Sequence, residues 1–152
     1  MDKATVDKIF FEINQIDKLL DEAKPCIEAC EITEPDFVER CGLALILQSF
    51  YNGIELILLM VFKPTDHFLQ NQTRWHKALL SNAFESKDNQ TQLLRDELRV
   101  LLNDYLKFRH LARHTYGFQL KWDEMKMLVF NLEKTWEIVK SDLMNFMDRH
   151  SK

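Results

Sequence analysis

Residues 41–62 read CGLALILQSFYNGIELILLMVF and are apolar nearly all the way round a helix. Such a run is either a membrane span or the central helix of a packed core. Gln48, Asn52 and Glu55 decide between them, because polar groups facing lipid are costly. The stretch therefore reads as a buried central helix. The three polar residues are spaced i, i+4, i+7 and share one stripe. Either they bond to one another and to neighbouring helices, or they line a polar cleft. A buried Glu55 needs a partner in both cases.

A central helix implies helices around it. Upstream, EITEPDF (31–37) marks its start, with Thr33 as the cap, Pro35 in the first turn, and Glu34 and Asp36 complementing the helix dipole. The helix should run to about Lys63, where Pro64 stops it. Before it, Ile9, Ile13, Ile16 and Leu20 make one helical face over residues 3–24, which Pro25 ends or bends. Downstream, PTDHFLQNQ (64–72) reads as a loop, residues 73–84 as a short helix capped by Thr73, and ESKDNQ (85–90) as another loop. A further helix starts near Thr91 and places Leu94, Leu98, Leu101, Tyr105, Phe108 and Ala112 in line. The last begins near Trp122, with Met125, Val129, Leu132, Trp136, Val139, Leu143 and Phe146 as its apolar seam.

This is an all-α antiparallel bundle of four long helices and one short one, with residues 1–152 forming one domain. Composition agrees. Three glycines and three prolines in 152 residues are too few for a turn-rich all-β fold, and 46% hydrophobic residues can fill one core. Cys26, Cys30 and Cys41 are an odd set without a CxxC pair, which reads as reduced thiols in a cytoplasmic protein. The N-terminus carries charges throughout and lacks the apolar core of a signal peptide.

The net charge of −4 gives no general attraction for nucleic acid, so any such binding needs a local patch. One exists in KFRHLARHTYG (107–117). No Asp or Glu occurs from Tyr105 to Trp122, while Lys107, Arg109, Arg113 and Lys121 supply positive charge. Arg109 lies beside the apolar stripe. His110 and His114 share a face while the helix lasts, and Gly117 is placed to act as its C-cap. Basic residues here also suit the helix dipole, which alone accounts for them. The histidine pair lacks the internal glutamate of HExxH and a third ligand, so no metal or other cofactor is expected.

Arg109, His114 and Tyr116 together match Arg-x4-His-x-Tyr, a pattern that resembles the HepT-like toxins of the HEPN superfamily. The apolar stretch FYNGIELILLMVF is similar to the family's second helix, and the likeness extends over roughly Val6 to Asp148. The resemblance implies a dimeric helical bundle with two motifs facing each other across a cleft. It implies a metal-independent ribonuclease, with Arg109 and His114 catalytic, that serves as the toxin of a toxin–antitoxin pair. Histidine as a residue type can move protons near neutral pH, and arginine can hold a phosphate through two parallel hydrogen bonds. The resemblance further implies that Tyr116 receives AMP from a cognate MntA-like nucleotidyltransferase, the antitoxin. His110, Arg113, Asn52 and Glu55 are supporting candidates. Asn52 and Glu55 either orient the motif residues or simply bond within the core. His76, beside Trp75 on the short helix, reads as an ordinary exposed histidine, with contact to RNA or the antitoxin as the alternative. The alternative to a nuclease is a non-catalytic HEPN partner that binds the nucleotidyltransferase.

Overall fold

The computed structural model describes residues 1–64, 68, 74–86 and 91–150. These residues form helices and connecting turns, with no strand among them. In chain order the helices are α1 (Lys3–Cys30), α2 (Phe37–Phe62), α3 (Trp75–Asn82), α4 (Leu98–Arg113), α5 (Trp122–Phe130) and α6 (Leu132–His150), with a 3-10 turn at Gly117–Gln119. The architecture is the all-α bundle that the periodicity implies.

Helix α2 is the centre. It packs against α1, α3, α4, α5 and the 3-10 turn, which is why it is apolar on nearly every side. Leu43, Leu47, Phe50, Tyr51, Ile54, Ile57 and Leu58 are all buried. The length and composition of α2 would suit a membrane span, but here most of its apolar residues pack on other helices, with Leu45 and Leu56 left exposed. Gly53 sets the approach of α1, since a Cβ there would lie 2.8 Å from Ile16 Cγ1. The Phe50 ring meets Tyr105 of α4 and Trp136 of α6 edge-on, at centroid distances of 5.2 and 6.2 Å. Asp17 of α1 accepts from Trp136 Nε1 at 2.7 Å and from Lys140 Nζ at 2.6 Å, which clasps the first helix to the last.

Several boundaries differ from the sequence expectation. Pro25 does not end α1, which continues to Cys30. Proline inside a helix costs about 3 kcal/mol, but beyond it Ile27 and Cys30 still pack on the core. Asp36, rather than Thr33, caps α2. Its side chain accepts from the Glu39 N–H at 2.8 Å, and Glu39 accepts in return from the Asp36 N–H, which satisfies two of the free donors at the helix start. Lys63 ends α2 in the left-handed region at φ 44. The expected cap Thr73, most of the 64–72 loop and residues 87–90 lie outside the described residues.

Helix α4 starts at Leu98, not near Thr91. The intervening backbone donates elsewhere: Leu94 N–H to Ala83 O at 2.9 Å, and Arg95 N–H to Asp142 Oδ2 at 2.9 Å. Leu93 and Leu94 are buried as part of this irregular run. The last helix breaks at Asn131 into α5 and α6. The apolar seam crosses the break, with Met147 buried at its end and Phe146 only half-buried.

Candidate functional site

Leu98, Leu102, Tyr105 and Phe108 bury one face of α4, and Tyr105 Oη fixes the helix against α5 by donating to Leu128 O at 2.6 Å. This packing sets the rotation of the helix and leaves Arg109 half-buried at the margin of the buried face. Its Nε donates to Asn52 Oδ1 of α2 at 2.5 Å. The amide is neutral, so it holds the side chain without cancelling its charge. A guanidinium carries five N–H donors, four of them on the terminal nitrogens. Among the described residues those terminal nitrogens have no hydrogen-bond partner. Asn52 thus bonds directly to Arg109.

Glu55 does not. It is 6% exposed and pairs with His76 of α3, with Oε2 2.7 Å from Nδ1. With the carboxylate as acceptor, Nδ1 is the donor. His76 also stacks on Trp75 at a centroid distance of 3.6 Å. The histidine that reads as ordinary and exposed is therefore held on two sides. Tyr51, one turn before Glu55, is buried, and its hydroxyl has no hydrogen-bond partner among the described residues. Burial first, and the Glu55 charge second, push that phenol well above its ordinary pKa, with Arg109 pulling the other way. The sequence shows no sign of the His76 pairing, because the two partners are 21 residues apart on different helices. Tyr51 is visible only as one more aromatic in an apolar run.

Helix α4 ends at His114, whose N–H reaches Leu111 O at 3.1 Å, and the Thr115 hydroxyl donates to the same carbonyl. His110 and His114 keep a common face past the helix end. Both are exposed, with ring centroids 4.9 Å apart. Arg113 is exposed in the last turn, at the negative end of the dipole. Among the described residues no group of three or more His, Cys, Asp or Glu is placed to hold a metal ion.

Gly117 is not the left-handed cap that the sequence suggests, for no glycine here has positive φ. It is needed for a close approach. A Cβ would lie 2.7 Å from Cys41 Sγ and 3.3 Å from the Phe37 ring, so the 3-10 turn seats directly on the start of α2. Tyr116 precedes this turn in extended backbone, with its N–H donated to Gln119 Oε1 at 2.9 Å. Its side chain is 74% exposed and stacks parallel to Phe118 at 5.6 Å.

The structure thus brings Asn52 to Arg109, and sets His110, His114 and Tyr116 around the exposed end of α4. Glu55 bonds to His76 instead. No curated protein and no solved structure matches the chain. A family model described as HepT-like protein matches residues 42–150, a span that holds all of these site residues and most of α2. By that match over more than half its length, this chain belongs to the HepT-like family.

Proposed function

We propose that this chain is the toxin of a toxin–antitoxin pair and cuts RNA without a metal ion. In this reading the 2′-oxygen of the RNA attacks the adjacent phosphorus and the bond to the 5′-oxygen breaks. His114 moves a proton at the reacting oxygens. The terminal nitrogens of Arg109 stabilise the charge that builds on the phosphoryl oxygens. The products are a 2′,3′-cyclic phosphate and a free 5′-hydroxyl. The observation that carries the reading is the way Arg109 is held. A neutral amide fixes Nε, while His110 and His114 stand exposed on the same helix end.

One histidine does not readily give and take a proton at once. A second copy of the chain would supply another Arg109–His114 pair, and α2 offers a surface for it. Leu45 and Leu56 are 64% and 47% exposed on that helix, with Asn52 exposed between them, and Leu111 is exposed on α4. A two-fold contact through α2 and α4 would cover them. Light scattering at micromolar concentration should give a dimer. A monomer would remove this part of the proposal.

Tyr116 serves as the off switch. Its exposed phenol can take AMP from ATP, with pyrophosphate leaving, in a reaction run by an MntA-like nucleotidyltransferase. The added phosphodiester places negative charge beside Arg109 and His114 and excludes RNA. The test pairs intact mass with RNA cleavage before and after treatment with the nucleotidyltransferase and ATP. Wild type should gain the mass of AMP and stop cleaving, and Tyr116→Phe should cleave throughout. Wild type that carries AMP on Tyr116 and still cleaves would refute the switch. Wild type that never cleaves RNA, yet binds the nucleotidyltransferase, would replace the nuclease with a non-catalytic partner.

A further inference from the structure

Beside the motif, between α3 and α4, lies a groove of about 680 Å³. Arg74 and Lys77 line one wall and Arg99 and Lys107 the other, and Arg109 and His110 also lie on it. Asp104 is the one acid among its described lining residues. In a chain of net charge −4, five cations against one carboxylate is a strong local reversal. Arg99 also faces Asp96, but at 3.5 Å and with both side chains half or more exposed, so that pair screens little of its charge. The walls are firmly set. On the α3 side, His76 is fixed by Glu55 and stacked on Trp75. On the α4 side, the Arg99 guanidinium sits over the Phe84 ring at 5.0 Å. Val100 and Leu106 give the floor apolar surface.

We propose that this groove binds the RNA strand on one side of the phosphate held by Arg109. The inference rests on the ribonuclease reading and adds where the substrate runs. Three features point to a strand rather than to a single small anion. The cations are spread over two helices instead of converging on one point. The volume lies within the range of sites that enclose a whole ligand. The groove is continuous with Arg109, so a chain whose phosphate sits at the motif has its neighbouring phosphates directed between α3 and α4. Phosphate neutralisation by Lys and Arg supplies affinity without sequence preference. The site should therefore prefer longer single strands over minimal ones, whatever their sequence.

The test uses the full chain, a labelled 12-nucleotide RNA and a dinucleotide substrate. Lys77→Gln with Lys107→Gln removes two charges and keeps polar, flexible side chains at exposed positions. Binding of the 12-mer, read by anisotropy in a His114→Ala background, should weaken about tenfold or more. The salt dependence of that binding should become shallower by about one to two units of log–log slope. Cleavage of the 12-mer should fall through a raised KM, and by several-fold more than cleavage of the dinucleotide. Lys134→Gln on the exposed face of α6 should change none of these. Unchanged 12-mer affinity and salt slope in the double variant would overturn the proposal, as would an equal loss in Lys134→Gln. Full RNA affinity with lost binding of the nucleotidyltransferase would also overturn it and give the groove to a protein partner. If wild type cleaves neither substrate, the ribonuclease reading fails, and the anisotropy alone still decides whether the groove holds RNA.

Discussion

Arg95 and Arg109 are both held by side chains from other helices, in opposite ways. Arg95 is tied mainly to Asp142, with Nη1 also 3.4 Å from Glu97. Its Nε lies 3.0 and 3.1 Å from the two carboxylate oxygens, Nη2 lies 2.6 Å from one, and the Arg95 backbone N–H donates to the same group. The charges cancel, and what remains is a staple between α6 and the run leading into α4. Arg109 gives one N–H to a neutral amide, and its charge and terminal nitrogens are left over. A buried carboxylate makes an arginine part of the structure. An amide positions an arginine and leaves it able to act on something else.

The sharpest way to break this comparison is to remove each arginine's function separately. Arg109→Ala should reduce RNA cleavage about a thousandfold while the melting temperature moves by no more than a degree or two. A loss of stability as large as that of an Asp142 variant would show that Arg109 is a staple as well. A finer test converts one arrangement into the other. Asn52→Asp sets a carboxylate against the Arg109 guanidinium, where attraction of about 4 kcal/mol near a protein surface competes with a phosphate. Cleavage should fall about a hundredfold in a fully folded protein, with kcat/KM measured beside a melting curve. Undiminished cleavage would mean that the free charge of Arg109 is not what matters. Asp142→Ala should act only on stability. It removes the acceptor of the Arg95 backbone N–H and guanidinium, and the melting temperature should drop by about 5 to 10 °C. Cleavage per folded molecule should hold, and a parallel loss of activity would mean that the staple also shapes the site.

What could be read from the sequence follows the range of each interaction. The i, i+4 spacing of Leu98, Leu102 and Tyr105, and the all-round apolar character of α2, are local patterns and carry over directly into the bundle. The placement of Arg109 at the edge of its stripe follows from the same periodicity. The start of α4 was not legible, because Leu94 and Arg95 give their backbone donors to Ala83 and Asp142, partners that no local window contains. The same holds for Glu55. Its burial could be read from its neighbours, but its choice of His76 over Arg109 is decided by where α3 docks. Thr33 lost the cap to Asp36 for a nearer reason. Asp36 and Glu39 bond to each other's backbone across the first turn, and the helix begins only at Phe37.

The approach to α4 also orders events during synthesis. The central helix and its α1 partner are complete by residue 62 and meet through nearby sequence. The segment before α4 is different, since the acceptor for the Arg95 backbone N–H is Asp142, 47 residues later. Contacts of such separation form late. Leu94 can bond to Ala83 as soon as both are made, but the Arg95 part of this anchor forms only after α6 has been made and docked. A nascent chain still on the ribosome holds the residues of the motif well before it holds the frame that aligns them. Assembly of the site thus waits for α6.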